Sequence, residues 1–166
     1  MSMTDTAQPR PYIPALAKIY APLAPYALPM IRIFTGLAIA YHGYPKLFSG
    51  GASGLAGLMT RLGLEPALGW AYLVGITEFF GGIMLAIGLL TRFVAAALVI
   101  EFAVIVFVLK WANGFLASAP RAVQPGFAGW IPGGFEFDLT WGLICLAFVF
   151  LGGGRLSVDR AIGREI

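Results

Sequence analysis

Six ionisable residues occupy places that are hard to explain in a protein surrounded by water. Glu78 and Glu101 each fall near the middle of an apolar run. Arg32 lies inside another run, His42 and Lys46 follow it, and Glu136 opens the last one. A charge near the centre of a bilayer costs at least about 2.5 kcal/mol, so such residues need partners or a task. A carboxyl or imidazole held in a dry pocket can pass a proton to or from a bound molecule. Buried ion pairs can also serve only to fix helix register. Glu136 and Asp138 could be simply solvated at the interface. Both readings stand on the residues alone. His42, Lys46, Glu78 and Glu136 are expected to line one pocket. Arg32 and Glu101 are further intramembrane charges; Arg32 could reach toward Glu78 or snorkel to lipid phosphate.

The elements that must position these residues are apolar helices. Trp70 to Lys110 reads as two apolar runs broken at Thr91-Arg92. Each run is about twenty residues, enough at roughly 1.5 Å per residue to cross a hydrocarbon core about 30 Å thick. The pair is a transmembrane hairpin. Gly75, Gly81 and Gly82 surround Glu78 on the helical wheel, which calls for a packed helix interface there. A first span is expected over 25–48, with a kink at Pro45, and a last span over 135–152. Prolines at 9, 11, 14 and 22 are read as preventing a long helix in the leader, residues 1–24. Residues 55–62 are amphipathic enough for a short interfacial helix. The fold class is therefore an all-α membrane protein, a four-span up-and-down bundle over 25–152, followed by a polar tail over 153–166.

Composition agrees. Of 166 residues, 59% are hydrophobic and only 11% charged, against about 25% charged in soluble domains. The net charge of +3 comes from scattered basic residues, so no nucleic-acid partner is expected; the partner that composition implies is the lipid bilayer. One cysteine, Cys145, and one histidine, His42, leave no disulfide, Cys/His zinc site or bis-histidine haem within the chain. The first thirty residues lack a signal-peptide pattern. Arg10, Lys18, Arg92, Arg155, Arg160 and Arg164 fall on the side of the termini, and Lys46, Arg61, Lys110 and Arg121 on the other. That bias places both termini in the cytoplasm. Trp70, Trp111, Trp130 and Trp141 fall at the long-loop ends of the spans, like half of an aromatic belt.

Short motifs run in order from residue 32 to 159. They are Arg32-Ile33-Phe34-Thr35-Gly36 with His42-Gly43 and Lys46; Glu78 followed by Gly81-Gly82; Gly88-Leu89-Leu90-Thr91-Arg92; Asn113-Gly114-Phe115; Gly133-Gly134-Phe135-Glu136-Phe137; and Gly153-Gly154-Arg155-Leu156-Ser157-Val158-Asp159. In these the chain resembles the DoxX family of small four-helix membrane proteins. The resemblance implies a bacterial inner-membrane protein and marks Gly43, Gly82, Gly114, Gly134, Ser157 and Asp159 as motif positions. Similar proteins are linked to thiol and sulfur redox, some as subunits of a thiosulfate:quinone oxidoreductase. The resemblance thus implies a subunit of a quinone-linked or thiol/sulfur redox system, with quinone as the cofactor and a membrane or soluble redox protein as partner. The alternative is a non-enzymatic scaffold or small-molecule carrier; whether the chain has an activity of its own stays open. The 117–132 loop is enlarged relative to the family pattern.

Overall fold

The computed structural model describes residues 11–116 and 133–164; the enlarged 117–132 loop, with Trp130 and Arg121, lies outside the described residues. The chain forms an all-α membrane protein. Its helices are α1 (Ala17–Phe48), α2 (Gly51–Arg61), α3 (Ala67–Ile87), α4 (Thr91–Val104), α5 (Glu136–Leu151) and α6 (Val158–Ile162). A π-helical segment, Ile105–Lys110, and a 3-10 turn, Trp111–Asn113, prolong α4. Three stretches are long and apolar enough to cross a membrane: Pro14–Phe48, Ala67–Ile87 and Thr91–Asn113. At 16 residues, α5 is about 24 Å long.

Helices α1, α3, α4 and α5 pack with each neighbour antiparallel. The tightest contact is α1 on α3, and glycine makes it possible. Gly36 and Ala40 on α1 meet Gly82 and Ala86 on α3. A methyl group at Gly36 would lie 2.5 Å from the Ala86 nitrogen, and one at Gly82 would lie 2.5 Å from the Ala40 nitrogen. Both pairs are spaced four residues apart, so each presents one small-residue face and the backbones touch directly. Deeper in the bundle, Ile39, Leu85, Val94, Leu98, Cys145 and Phe148 form the apolar core.

Three expectations need correction. Helix α1 begins at Ala17 and runs unbroken through Pro22, Pro25, Pro29 and Pro45. The first three prolines are spaced three and four residues apart, so they share one face of the helix. Each removes a backbone donor there, while its fixed φ suits a helix. The helix over 55–62 starts earlier, at Gly51. Its apolar face joins the core: Ala52, Leu58 and Met59 are buried against Ala71 of α3 and Leu109 beyond α4. The polar tail is not a free tail. Asp159 is 1% exposed and stands at the start of α4. It accepts hydrogen bonds from the backbone N–H of Leu90 (2.7 Å) and Thr91 (2.9 Å) and from the Thr91 hydroxyl (2.6 Å). These are donors that a helix N-terminus leaves unpaired, and a carboxylate there also suits the helix dipole. Leu90 adopts a left-handed φ of 49°, a conformation costing about 1–2 kcal/mol in a non-glycine residue, and the Asp159 bonds hold it.

Candidate functional site

Helices α1, α2, α3, α4 and α5 enclose a cavity of about 850 Å³ toward the loop end of the bundle. Its walls are mostly apolar. Its polar groups include His42 and Lys46 from α1, Thr77 and Glu78 from α3, Glu101 from α4, and Lys110 with Asp138 where α4 and α5 meet. Helices α1 and α5 touch little, and the cavity has walls on both sides of that loose seam. Phe34 of α1 stacks on Trp141 of α5 there, with ring centroids 6.2 Å apart. Trp141, like Trp70, lines the cavity.

Three of the four expected pocket residues meet. Lys46 forms an ion pair with Glu78 Oε1, and His42 lines the same cavity one turn earlier on α1. Gly43 makes this geometry possible. A methyl group there would lie 2.8 Å from Glu78 Cβ and run into the Phe79 backbone, so without one α1 comes close enough for Lys46 to reach across. The fourth residue, Glu136, does not line the cavity. It opens α5, where its backbone N–H bonds to the Phe115 carbonyl at 2.9 Å. Asp138, half a turn further on, is the α5 carboxylate that lines the cavity, paired with Lys110 at 2.6 Å. Antiparallel neighbours bring the end of one span beside the start of the next, and that juxtaposition was the signal for Lys110 with Asp138.

Glu101 is the residue whose role the sequence understates. It lies against Glu78 and is also within the field of Lys46. The hairpin explains why. Glu78 lies 11 residues before Leu89 (89 − 78) and Glu101 lies 11 after Leu90 (101 − 90). Equal distances from one turn put two residues at one depth. Both Glu101 oxygens and Glu78 Oε2 are shut off from solvent without a hydrogen-bond partner. The cavity therefore brings three carboxylates together with two ammonium groups. Among the described residues, no group of His, Cys, Asp and Glu is placed to hold a metal ion.

Arg32 does not reach toward Glu78 as anticipated. It is buried at the opposite end of the bundle, where it donates to the carbonyls of Ala86, Gly153 and Leu156. Ser157 accepts a hydrogen bond from the Arg160 N–H at 3.1 Å and so caps α6. Gly114 and Gly134 belong to a clamp at the loop end. The N–H groups of Gly134, Phe135 and Glu136 bond to the carbonyls of Leu116, Gly114 and Phe115, which satisfies the first turn of α5. A side chain at Gly134 would run into all three carbonyls.

The DoxX family profile matches residues 27–111, which hold most of α1, all of α2 to α4 and the Lys46–Glu78–Glu101 cluster. The chain belongs to the DoxX family. An uncharacterized membrane protein of Mycobacterium tuberculosis is 29% identical over 147 residues, covering 81% of this chain and 80% of that one. An uncharacterized protein of Haemophilus influenzae is 30% identical over 141 residues, covering 82% and 90%. No solved structure matches this DoxX protein significantly.

Proposed function

We propose that this DoxX protein is the membrane subunit of a quinone-linked redox system. In this reading it has four crossings, lies in the bacterial inner membrane and keeps both termini in the cytoplasm. The observation that carries the reading is the apolar cavity, walled by α1 and α5 across their loose seam and holding Lys46, Glu78 and Glu101 at its polar end. A gap between helices admits molecules dissolved in the bilayer, and an apolar pocket with a few polar groups is the usual form of a small-molecule site. Lys46, Glu78 and Glu101 would face the polar end of such a ligand. A quinone supplies a two-electron couple when bound. The residues of this chain would orient the ring and hold or release protons at the two carboxyls. The single, buried Cys145 cannot form a dithiol within the chain, so in this reading a partner protein delivers or removes the electrons.

The second reading is a carrier or scaffold without redox chemistry, in which the Lys46–Glu78 pair fixes the register of α1 on α3. Extraction in lipid nanodiscs, with quinone analysis and identification of co-purifying proteins, separates the two. The redox reading expects quinone in stoichiometric amount and an electron-carrying partner. Protein recovered with lipid alone, and a spectrum unchanged by added quinol, would sink it.

A further inference from the structure

Behind the cavity wall, two carboxylates and one ammonium do not balance. Glu78 is 8% exposed; its Oε1 accepts from Lys46, and its Oε2 has no donor. Both oxygens of Glu101 are likewise shut off from solvent without a donor. The Glu101 carboxyl lies against Glu78, close enough to bond to it. No second cation serves the pair. His42 on α1 bonds to none of these three oxygens, Thr77 on α3 is neutral, and Lys110 is taken by Asp138 at 2.6 Å. From α5, Cys145 lies in the field of Glu101 and offers only a thiol. From α2 the cavity receives apolar side chains alone. Two carboxylates in dry contact repel strongly enough that one takes up a proton. A single proton settles both the charge and the hydrogen bonding. An O–H on Glu101 gives Glu78 Oε2 its donor, and the one negative charge left faces the one positive charge of Lys46.

We infer that Glu78 and Glu101 form a proton-binding site within the bundle: one proton resides between the Glu101 carboxyl and Glu78 Oε2, and Lys46 balances the single charge that remains. The charge stays on Glu78, because Glu78 is the carboxyl that Lys46 touches. The proton belongs to the pair rather than to either residue, so the pair gives up or takes up one proton at a time. Its oxygens are closed to solvent, and Lys46, with a side chain 27% exposed against 10% for Glu78, stands between them and water. The inference stands on the contact of the two carboxyls, with or without a quinone in the cavity.

Infrared spectroscopy on the full-length protein tests this without any turnover, in a maltoside detergent that adds no ester carbonyl of its own. At neutral pH the parent should show the C=O stretch of a protonated carboxyl, shifted down when the sample is prepared in D2O. Subtracting the spectrum of Glu101→Gln should leave that band with the intensity of one carboxyl. An amide at 101 keeps the shape and donates an N–H to Glu78 Oε2 as the acid does, so Glu101→Gln should melt no lower than the parent. Absence of the acid band at neutral pH would overturn the inference, as would a band that survives in Glu101→Gln. A Gln variant that fails to fold or melts far below the parent would also overturn it, by showing that residue 101 must carry a charge. So would a parent melting temperature that rises when sodium chloride replaces choline chloride, since a metal cation would then hold the place given to the proton. The acid band in a protein that carries no quinone and responds to no quinol upholds the inference and removes only the redox reading.

Discussion

The Lys46–Glu78 pair lies between two regimes. An ion pair in water contributes about 0–1 kcal/mol, whereas breaking a buried one costs about 3–5 kcal/mol because a charge is stranded. With Glu78 nearly buried and Lys46 only partly so, Lys46→Ala should cost about 1–3 kcal/mol, read as a lower melting temperature in detergent. Adding Glu78→Gln should restore most of it, since no charge is then left alone. Glu78→Gln by itself should be milder than Glu78→Lys, which would set two ammonium groups side by side. Equal melting temperatures for the Gln and Lys variants would show that Glu78 faces water. Coupling in a double-mutant cycle is expected for Lys46 with Glu78, and near-additivity for Lys46 with Glu136, which lies outside the cavity.

At the scale of elements, the α1–α3 contact and the cap on α4 carry the clearest consequences. Gly82→Ala would press a methyl group onto the Ala40 backbone, and overpacking of this kind typically costs about 1–3 kcal/mol. Gly54→Ala on α2 meets nothing within 4 Å and should be neutral or slightly stabilising, by up to about 1 kcal/mol. Parallel thermal melts check the contrast. The Asp159 cap predicts a pH dependence. Burial pushes the Asp159 carboxyl up, but the hydrogen bonds from Thr91 and Leu90 and the attraction of Arg32 outweigh it and hold the group below the usual carboxylate range. A depressed folded pKa gives stability that is present above the unfolded value of about 3.9 and lost as pH falls through the folded one. Wild-type protein should therefore lose more melting temperature than Asp159→Asn between about pH 5 and pH 3. Equal losses would show that Asp159 contributes nothing as a charge. The apolar helices were largely legible because apolar runs and glycine breaks mark their lengths. A last span was expected over 135–152, and a helix, Glu136–Leu151, forms there. What hid were links between distant segments: Asp159 with Thr91, Arg32 with Gly153, Glu101 with Glu78. Single polar residues announce a cost, and only packing decides who offsets it.

The whole molecule has two polar centres at different heights, a cavity cluster toward the loop end and a tail-bound knot at the end of the termini. From the basic-residue bias we predict that the knot faces the cytoplasm. Ser53 and Arg160 are both exposed at opposite ends, and Cys145 is buried, so the background is silent to thiol reagents. Ser53→Cys should react with an impermeant maleimide in intact cells, and Arg160→Cys only after permeabilisation. The reverse pattern would invert the topology.

Arg32 precedes two of its carbonyl partners, Gly153 and Leu156, by 121 and 124 residues. While the ribosome is still making α3 to α5, the guanidinium has no Gly153 or Leu156 to bind, and a long arginine side chain near the membrane edge must look to phosphate or water instead. These Arg32 contacts are complete only after Leu156 is made. Truncation ahead of Gly153 thus removes more than a tail: of these three carbonyls it leaves the guanidinium only that of Ala86, and its other donors must find lipid phosphate or water.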